Sequence, residues 1–434
     1  MNSFGYSSGT LRSQNNPPIN STQITGIKKI PFNKSKPYKL FIDINSCFAT
    51  VEQQYNPKLR GKPIAIAAYT GPSGCVIAPS IEAKTYGIKT GMRVYEAQQK
   101  YPKLIIMEPD PPKYRKTHQQ IKKILNTHTP KVIPKSIDEF VIDIEKTPAQ
   151  RKGTVQTAKS IKQDIKEQVG EWITVSIGIG PNIFLSKMAS ELEKPDGLQI
   201  INYKNHIQVY SKLKLTDLKG IKSGNASRLA AKNIFTVLDL YNANIETLCS
   251  AFKSISGYYW HLRIRGHEID NTPPKSKKSM GNSYAIPGKI KEKEELAPIL
   301  YKLVEKTAVR LRKEGYQARG FGLSIKYRDG TSWKDHKTTE KYTNNTQEIY
   351  KIFYRLLKKC PHKKPVRILA EACFHLTKSD NKQLKLFDPL ENKRKSKLQK
   401  TVDKINKKFG DFTIKSGEIL KAKDAAPDRI GFGK

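Results

Sequence analysis

The chain has 434 residues, more than one hydrophobic core ordinarily organises, and that length implies roughly two to four domains. Lys and Arg number 79 against 39 Asp and Glu, a formal net charge of +40 that calls for a polyanionic partner and salt-dependent phosphate contacts. The sequence contains no run of about 18 apolar residues and no apolar signal segment, and its five cysteines form no C-x-x-C pair; a transmembrane helix is thereby excluded and no disulfide framework is indicated, while a membrane surface is the weaker reading of the charge, so that no membrane partner is expected and the chain is expected to be soluble, cytoplasmic and monomeric.

Residues 1–37 are rich in Asn, Ser, Gly, Pro and Thr, carry no acidic residue and read as a disordered basic arm. From Lys39 the texture changes. Leu40 to Ile42 form a short apolar run, Asp43 to Ser46 break it, and Cys47 to Val51 resume an apolar pattern, which predicts strand, turn and helix. Pro63 to Ala68 predict a second strand and Ser80 to Tyr86 a short helix closed at Gly87. Lys131 to Ile133 and Phe140 to Ile144 predict a hairpin whose connecting segment holds Asp138 and Glu139 at one strand end. A polar helix follows at 154–169, then a buried strand from Ile173 to Ile179, a turn at Gly178 and Gly180, and a helix from Asn182 to Leu192.

Residues 213–265 are helical in pattern, and Thr272 to Lys278 have the Pro/Lys/Ser composition of a linker. Residues 279–378 combine a helix near 293–314 with strand-like runs at Gly320 to Tyr327 and Val366 to Leu376, an α+β domain. Beyond Ser379 the chain is a basic tail, with ten Lys and Arg against three acidic residues between Asn381 and Lys408. The resulting division is arm 1–37, α/β region 38–205, helical region 206–271, linker 272–278, α+β domain 279–378 and tail 379–434.

Two acidic motifs carry the chemistry. In Phe41-Ile-Asp-Ile-Asn-Ser-Cys-Phe-Ala-Thr-Val-Glu52, Asp43 ends an apolar run, where a carboxylate must be hydrated, paired or metal-bound, or serve as a helix cap. In Ser136-Ile-Asp-Glu-Phe-Val-Ile-Asp143, Asp138 and Glu139 are adjacent and repel each other unless a cation or water relieves them. Together these three carboxylates could bind two Mg²⁺ ions, hard cations that take oxygen ligands and stand about 3.5 to 4 Å apart in phosphoryl-transfer sites.

These motifs, with Ser176-Ile-Gly-Ile-Gly-Pro-Asn182, Leu185-Ser-Lys-Met-Ala-Ser190, Lys194-Pro-Asp-Gly197, Leu218-Lys-Gly-Ile221 and Lys278-Ser-Met-Gly281, resemble in order and spacing those of Y-family (UmuC/DinB-like) translesion DNA polymerases. The resemblance covers about residues 38–434. It implies a multidomain α/β and α+β right-hand polymerase, with a ferredoxin-like palm and small fingers at 38–205, a helical helix-hairpin-helix thumb and an α+β little finger. It implies DNA-directed synthesis on damaged templates from dNTPs and primer-template DNA, with Asp43, Asp138, Glu139 and the Ile44 carbonyl as ligands of two Mg²⁺ ions.

By the same resemblance Phe48 is a steric gate against a ribose 2′-hydroxyl, and Cys47, Lys84 and Lys187 join it in binding the nucleotide. Gly220 and Gly224 would let backbone N–H groups meet a DNA phosphate. Gln383, Leu384, Leu386 and Phe387 resemble a sliding-clamp-binding peptide. The chain departs from many relatives in having Ile81-Glu-Ala-Lys84 in place of Tyr-x-x-Arg and Ile183 after Asn182, which favours the UmuC-like branch and leaves a rival reading, a non-catalytic DNA- and clamp-binding scaffold.

Overall fold

The computed structural model describes residues 30–270, 277–361, 363–378, 390–422 and 425–427. The chain divides into two compact units, the second of which spans residues 274–428.

The first unit is built on a five-stranded sheet, β5-β6-β1-β7-β8, formed by β1 (Lys39–Ile44), β5 (Val132–Pro134), β6 (Glu139–Asp143), β7 (Val175–Gly180) and β8 (Leu198–Ile200). β1 lies in the middle, antiparallel to β6 and β7. Side chains alternate across a strand, so Leu40, Ile42 and Ile44 enter one core while Phe41 and Asp43 face the other side. A smaller sheet, β3-β2-β4, comprises β2 (Ile64–Ala67), β3 (Val76–Pro79) and β4 (Ile105–Met107).

Helices α1 (Cys47–Tyr55), α2 (Ile81–Thr85), α3 (Val94–Lys100), α4 (Pro111–His128), α5 (Pro148–Lys152), α6 (Thr154–Gln168) and α7 (Ile183–Leu192) complete this α/β region. Ile121, Ile124 and Leu125 of α4 and Ala158, Ile161 and Ile165 of α6 share a core with Leu40 and Ile42. The helix α7 packs directly on β7 and β1, and glycines make that possible: a Cβ on Gly178 would lie 2.0 Å from the Ser186 carbonyl oxygen. Gly178 and Gly180 therefore sit within β7, and the sequence expectation of a turn there is corrected. Glycine marks a close helix approach at this strand rather than a reversal of the chain.

Five short helices follow, α8 (His206–Ser211), α9 (Ser223–Ala230), α10 (Val237–Asn242), α11 (Ile245–Phe252) and α12 (Ser256–Arg263). Their core includes Leu229, Leu240, Leu248 and Trp260 and takes in Phe32. Phe32 stacks on His206 with ring centroids 3.9 Å apart, and the Asn33 N–H donates to the Arg265 carbonyl at 2.8 Å. Residues 30–37, read from sequence as part of a disordered arm, thus contribute an anchored aromatic; a single apolar residue generates no periodicity to reveal it. Residues 1–29 lie outside the described residues, as do linker residues 272–276.

The second unit carries a four-stranded sheet, β11-β10-β12-β9, made from β9 (Ser279–Ala285), β10 (Tyr316–Tyr327), β11 (Ser332–Thr343) and β12 (Val366–Lys378). Its helices are α13 (Lys293–Lys313), α14 (Thr346–Lys359) and α15 (Leu390–Phe409). Phe321, Leu323 and Ile325 of β10 pack with Leu300, Val304, Phe353 and Leu357 from α13 and α14. Sequence periodicity missed β11 because it is a polar edge strand, and charged side chains on an edge deter pairing with other chains. The segment read as a tail also returns to this unit: Ala422 and Ala426 are buried in its core, and Asp403 of α15 takes a bidentate pair from Arg312 at 2.6 and 2.9 Å. Among the described residues, no helix is long and apolar enough to cross a membrane.

Candidate active site

The side of β1 that bears Phe41 opens on a cleft of about 970 Å³ within the first unit. Asp138 and Glu139 line it, and register sets Asp43 alongside, since Asp43 on β1 pairs directly with Glu139 on β6. The next residue, Ile44, donates its N–H to the Asp138 carbonyl at 3.0 Å. A strand residue's N–H and C=O leave on the same side, so the Ile44 carbonyl also points towards the strand end that carries Asp138. Ser136 donates its hydroxyl to Asp138 Oδ1 at 2.5 Å, tying the carboxylate to its own turn.

Each carboxylate on the facing strands has met a lysine. Lys194 Nζ lies 2.8 Å from Asp43 Oδ1, and Lys187 pairs with Glu139 while its ammonium stands 4.5 Å from the Phe41 ring centroid. Lys219, from the turn before α9, reaches to 3.8 Å of the other Glu139 oxygen. Burial pushes the Asp43 carboxyl up to about 6, against the opposing pull of Lys194. Burial would raise Glu139 as well, but Lys187, Lys219 and Lys194 outweigh it and hold that carboxyl below its ordinary value.

The donor set suits a hard cation: three carboxylates and a backbone carbonyl at one strand end, in a place where three ammonium groups already answer a demand for positive charge. Among the described residues no three acidic, His or Cys side chains converge as a ready cage. Asp43 and Glu139 are turned to their lysines, and ion binding would require those pairs to open.

Helix α1 begins three residues after β1 ends, which sets Cys47 and Phe48 beside the carboxylates. Cys47 is buried, and burial together with Asp138 and Asp43 drives its thiol up. Phe48 stacks on Tyr114 of α4, with centroids 4.4 Å apart and planes 8° from parallel. Tyr114 donates its hydroxyl to Glu52 at 2.9 Å, and Glu52 is held by Lys113 at 2.6 Å, so the support beneath Phe48 is itself locked. Lys84 of α2 lies within the fields of Lys194 and Asp43, and its ammonium is held below the ordinary value by burial and by Lys194.

Gly220 also lines the cleft, at φ +105 and close under the Trp260 ring, whereas Gly224 lies in the first turn of α9 with open space about its Cα. Asn225 and Arg228 of α9 line the same cleft. The candidate clamp peptide, Gln383 to Phe387, falls outside the described residues. Sequence reasoning missed the contacts of Lys194, Lys219, Ser136 and Tyr114. Lys194 did head the Lys-Pro-Asp-Gly motif, but a lysine two residues beyond a helix carries no pattern that names Asp43 as its partner.

The impB/mucB/samB family model matches residues 42–191, and the model of that family's C-terminal domain matches residues 277–386. The chain is 31% identical to DNA polymerase IV 1 of Bacillus subtilis (strain 168), over 91% of its own length and 95% of the relative's. It is 32% identical to DNA polymerase IV of Moorella thermoacetica, over 86% and 94%. Among solved structures, it is similar to a Y-family DNA polymerase chimera of Dbh and Dpo4, with TM-score 0.67, 25% identity and coverage of 78% of this chain and 98% of the other. It is also similar to Dbh DNA polymerase in an insertion ternary complex, with TM-score 0.56, 25% identity and coverage of 77% and 98%.

Proposed function

This chain belongs to the impB/mucB/samB family, the Y-family DNA polymerases, and is a DNA-directed DNA polymerase; on that premise we propose that it performs low-fidelity translesion synthesis by two-metal nucleotidyl transfer at Asp43, Asp138 and Glu139. The observation that carries this reading is the pairing of Asp43 with Glu139 across β1 and β6, with Asp138 tied to Ile44 at the same strand end.

Asp43, Asp138, Glu139 and the Ile44 carbonyl would hold two Mg²⁺ ions. When bound, the ions supply Lewis acidity for the primer 3′-hydroxyl's attack on the α-phosphate and for the departing pyrophosphate. The chain's own residues do the rest. Lys187 and Lys194 release Glu139 and Asp43 and, with Lys84, turn their ammonium groups to the triphosphate. Phe48, held flat by Tyr114, fills the space a ribose 2′-hydroxyl would need, and Cys47 closes the pocket beside it. The backbone at Gly220 and Gly224 approaches a primer phosphate, and Arg228 supplies charge along the same wall.

Residues 38–205 serve as palm and fingers, 206–271 as thumb and 279–378 as little finger. The small three-stranded β3-β2-β4 sheet makes a slight fingers region that tests base-pair shape weakly, which admits damaged templates. Gln383, Leu384, Leu386 and Phe387 dock on a sliding clamp, and the chain works in the cytoplasm as a monomer.

Primer extension with dNTPs and Mg²⁺, wild type against Asp138→Ala, tests the core of this reading. Extension lost in the variant with primer-template affinity retained supports it. A wild type that binds primer-template without extending it refutes it and leaves a DNA-binding scaffold.

A further inference from the structure

Residues 135–138 carry the chain from β5 to β6 and present Asp138. Lys135 and Ser136 each donate a backbone N–H to the Glu139 carbonyl, at 2.9 and 3.3 Å, and Ile44 donates to the Asp138 carbonyl. The peptide that joins Ile137 to Asp138 is met differently. Its carbonyl oxygen lies 2.9 Å from Nδ1 of His118, a side chain on α4. A carbonyl can only accept, so Nδ1 carries the hydrogen and donates.

The imidazole cannot easily swing away, because it stacks on the Phe140 ring with centroids 4.6 Å apart and planes at 22°. Phe140 is itself fully buried in β6, two residues beyond Asp138. His118 also stands four residues after Tyr114 on α4, and residues so spaced share one helix face. One face of α4 thus supports two parts of the site, Phe48 through Tyr114 and the Asp138 turn through His118.

We propose that His118 is a positioning residue for Asp138, holding the Ile137 carbonyl so that the following carboxylate is presented to the metal ions. The proposal rests on Asp138 being a metal ligand in nucleotidyl transfer. His118 touches no substrate in this arrangement and acts only through the backbone.

Two substitutions separate the hydrogen bond from the packing. His118→Phe keeps a ring on Phe140 and removes the donor; His118→Asn removes the ring and keeps an N–H at the δ position. The readouts are Mn²⁺ affinity of the full chain with primer-template DNA and no nucleotide, followed by electron paramagnetic resonance, and kcat and KM for dNTP with Mg²⁺. His118→Phe is expected to weaken Mn²⁺ binding and lower kcat by about fivefold, the scale of one neutral hydrogen bond, with KM for dNTP unchanged. His118→Asn is expected to recover both values. A His118→Phe chain that matches wild type in both readouts overturns the proposal, and so does a His118→Asn chain as impaired as His118→Phe. A wild type with no Mg²⁺-dependent extension overturns the polymerase chemistry beneath it, a separate result.

Discussion

Glu371 on β12 is 1% exposed, and its environment suits a neutral acid. Its Oε1 accepts from the Asn282 N–H at 2.9 Å and the Thr307 hydroxyl at 2.5 Å, while Oε2 has no hydrogen-bond partner among the described residues. Burial raises the carboxyl from 4.5 to about 8, against smaller opposing pulls from Thr307, Asn282 and Arg310. Between those two values the folded protein keeps a proton that the unfolded chain releases. Stability from this site is therefore fully present below pH 4.5 and is lost as pH rises through about 8. Linkage sets the slope at about 1.4 kcal/mol per pH unit, so the whole window is worth on the order of 4 to 5 kcal/mol. Glu371→Gln keeps the Oε1 acceptor and stays neutral at every pH. Calorimetric unfolding of the full chain should show the two proteins alike at pH 4.5. At alkaline pH the variant's second unit should melt higher, by about 2 to 4 °C per kcal/mol for a unit of this size. Melting curves that run parallel from acid to alkali would refute the reasoning.

Three further outcomes follow from contacts already described. Gly178→Ala would drive a Cβ to 2.0 Å from the Ser186 carbonyl oxygen and 2.2 Å from the Ser190 nitrogen of α7; it should destabilise the first unit by about 3 kcal/mol, read by urea unfolding. Tyr114→Ala removes the ring stacked on Phe48 and should raise ribonucleotide relative to deoxynucleotide kcat/KM by about tenfold, the scale of one aromatic pair; Tyr114→Phe, which keeps the ring, should change that ratio far less. Lys194→Met removes the ammonium that draws the Asp43 carboxyl down against burial, so Asp43 should ionise only above pH 6. The acid limb of the extension profile then moves to higher pH, and an unmoved limb would show that Lys194 does not control Asp43.

The carboxylates proposed to carry the chemistry were legible where local pattern and family motif coincide. Asp43 interrupts an apolar strand, and Asp138 and Glu139 stand side by side at a hairpin end; each pattern alone also fits a helix cap or an exposed acidic turn, and it was the family resemblance of the flanking motifs that singled them out. The glycines of Ser176-Ile-Gly-Ile-Gly180 were legible as important and misread as a turn, because sequence records that a side chain is missing and not what occupies its place. The strand β11 escaped because strand periodicity depends on one buried face, and the edge strand Ser332–Thr343 has no buried residue. Phe32 and the return of residues 417–422 and 425–427 to the second unit escaped because each rests on a few scattered apolar residues, Ile419, Ala422 and Ala426 in the second case, that set up no period.

The sequence by itself determined the family, the locally patterned elements around the acidic motifs, such as β1, β6 and α7, and which acidic residues are candidates, since these depend on short-range pattern and residue chemistry. Only the tertiary structure decided which lysine meets which carboxylate, that Tyr114 lies flat beneath Phe48, that His118 reaches the Ile137 carbonyl and that Glu371 is sealed from water. Those partners are separated by 19 to 151 residues where they meet by hydrogen bond. At such separations a contact is set by strand register and helix packing, and a lysine that neutralises Asp43 looks, along the chain, like any other of the 79 basic residues.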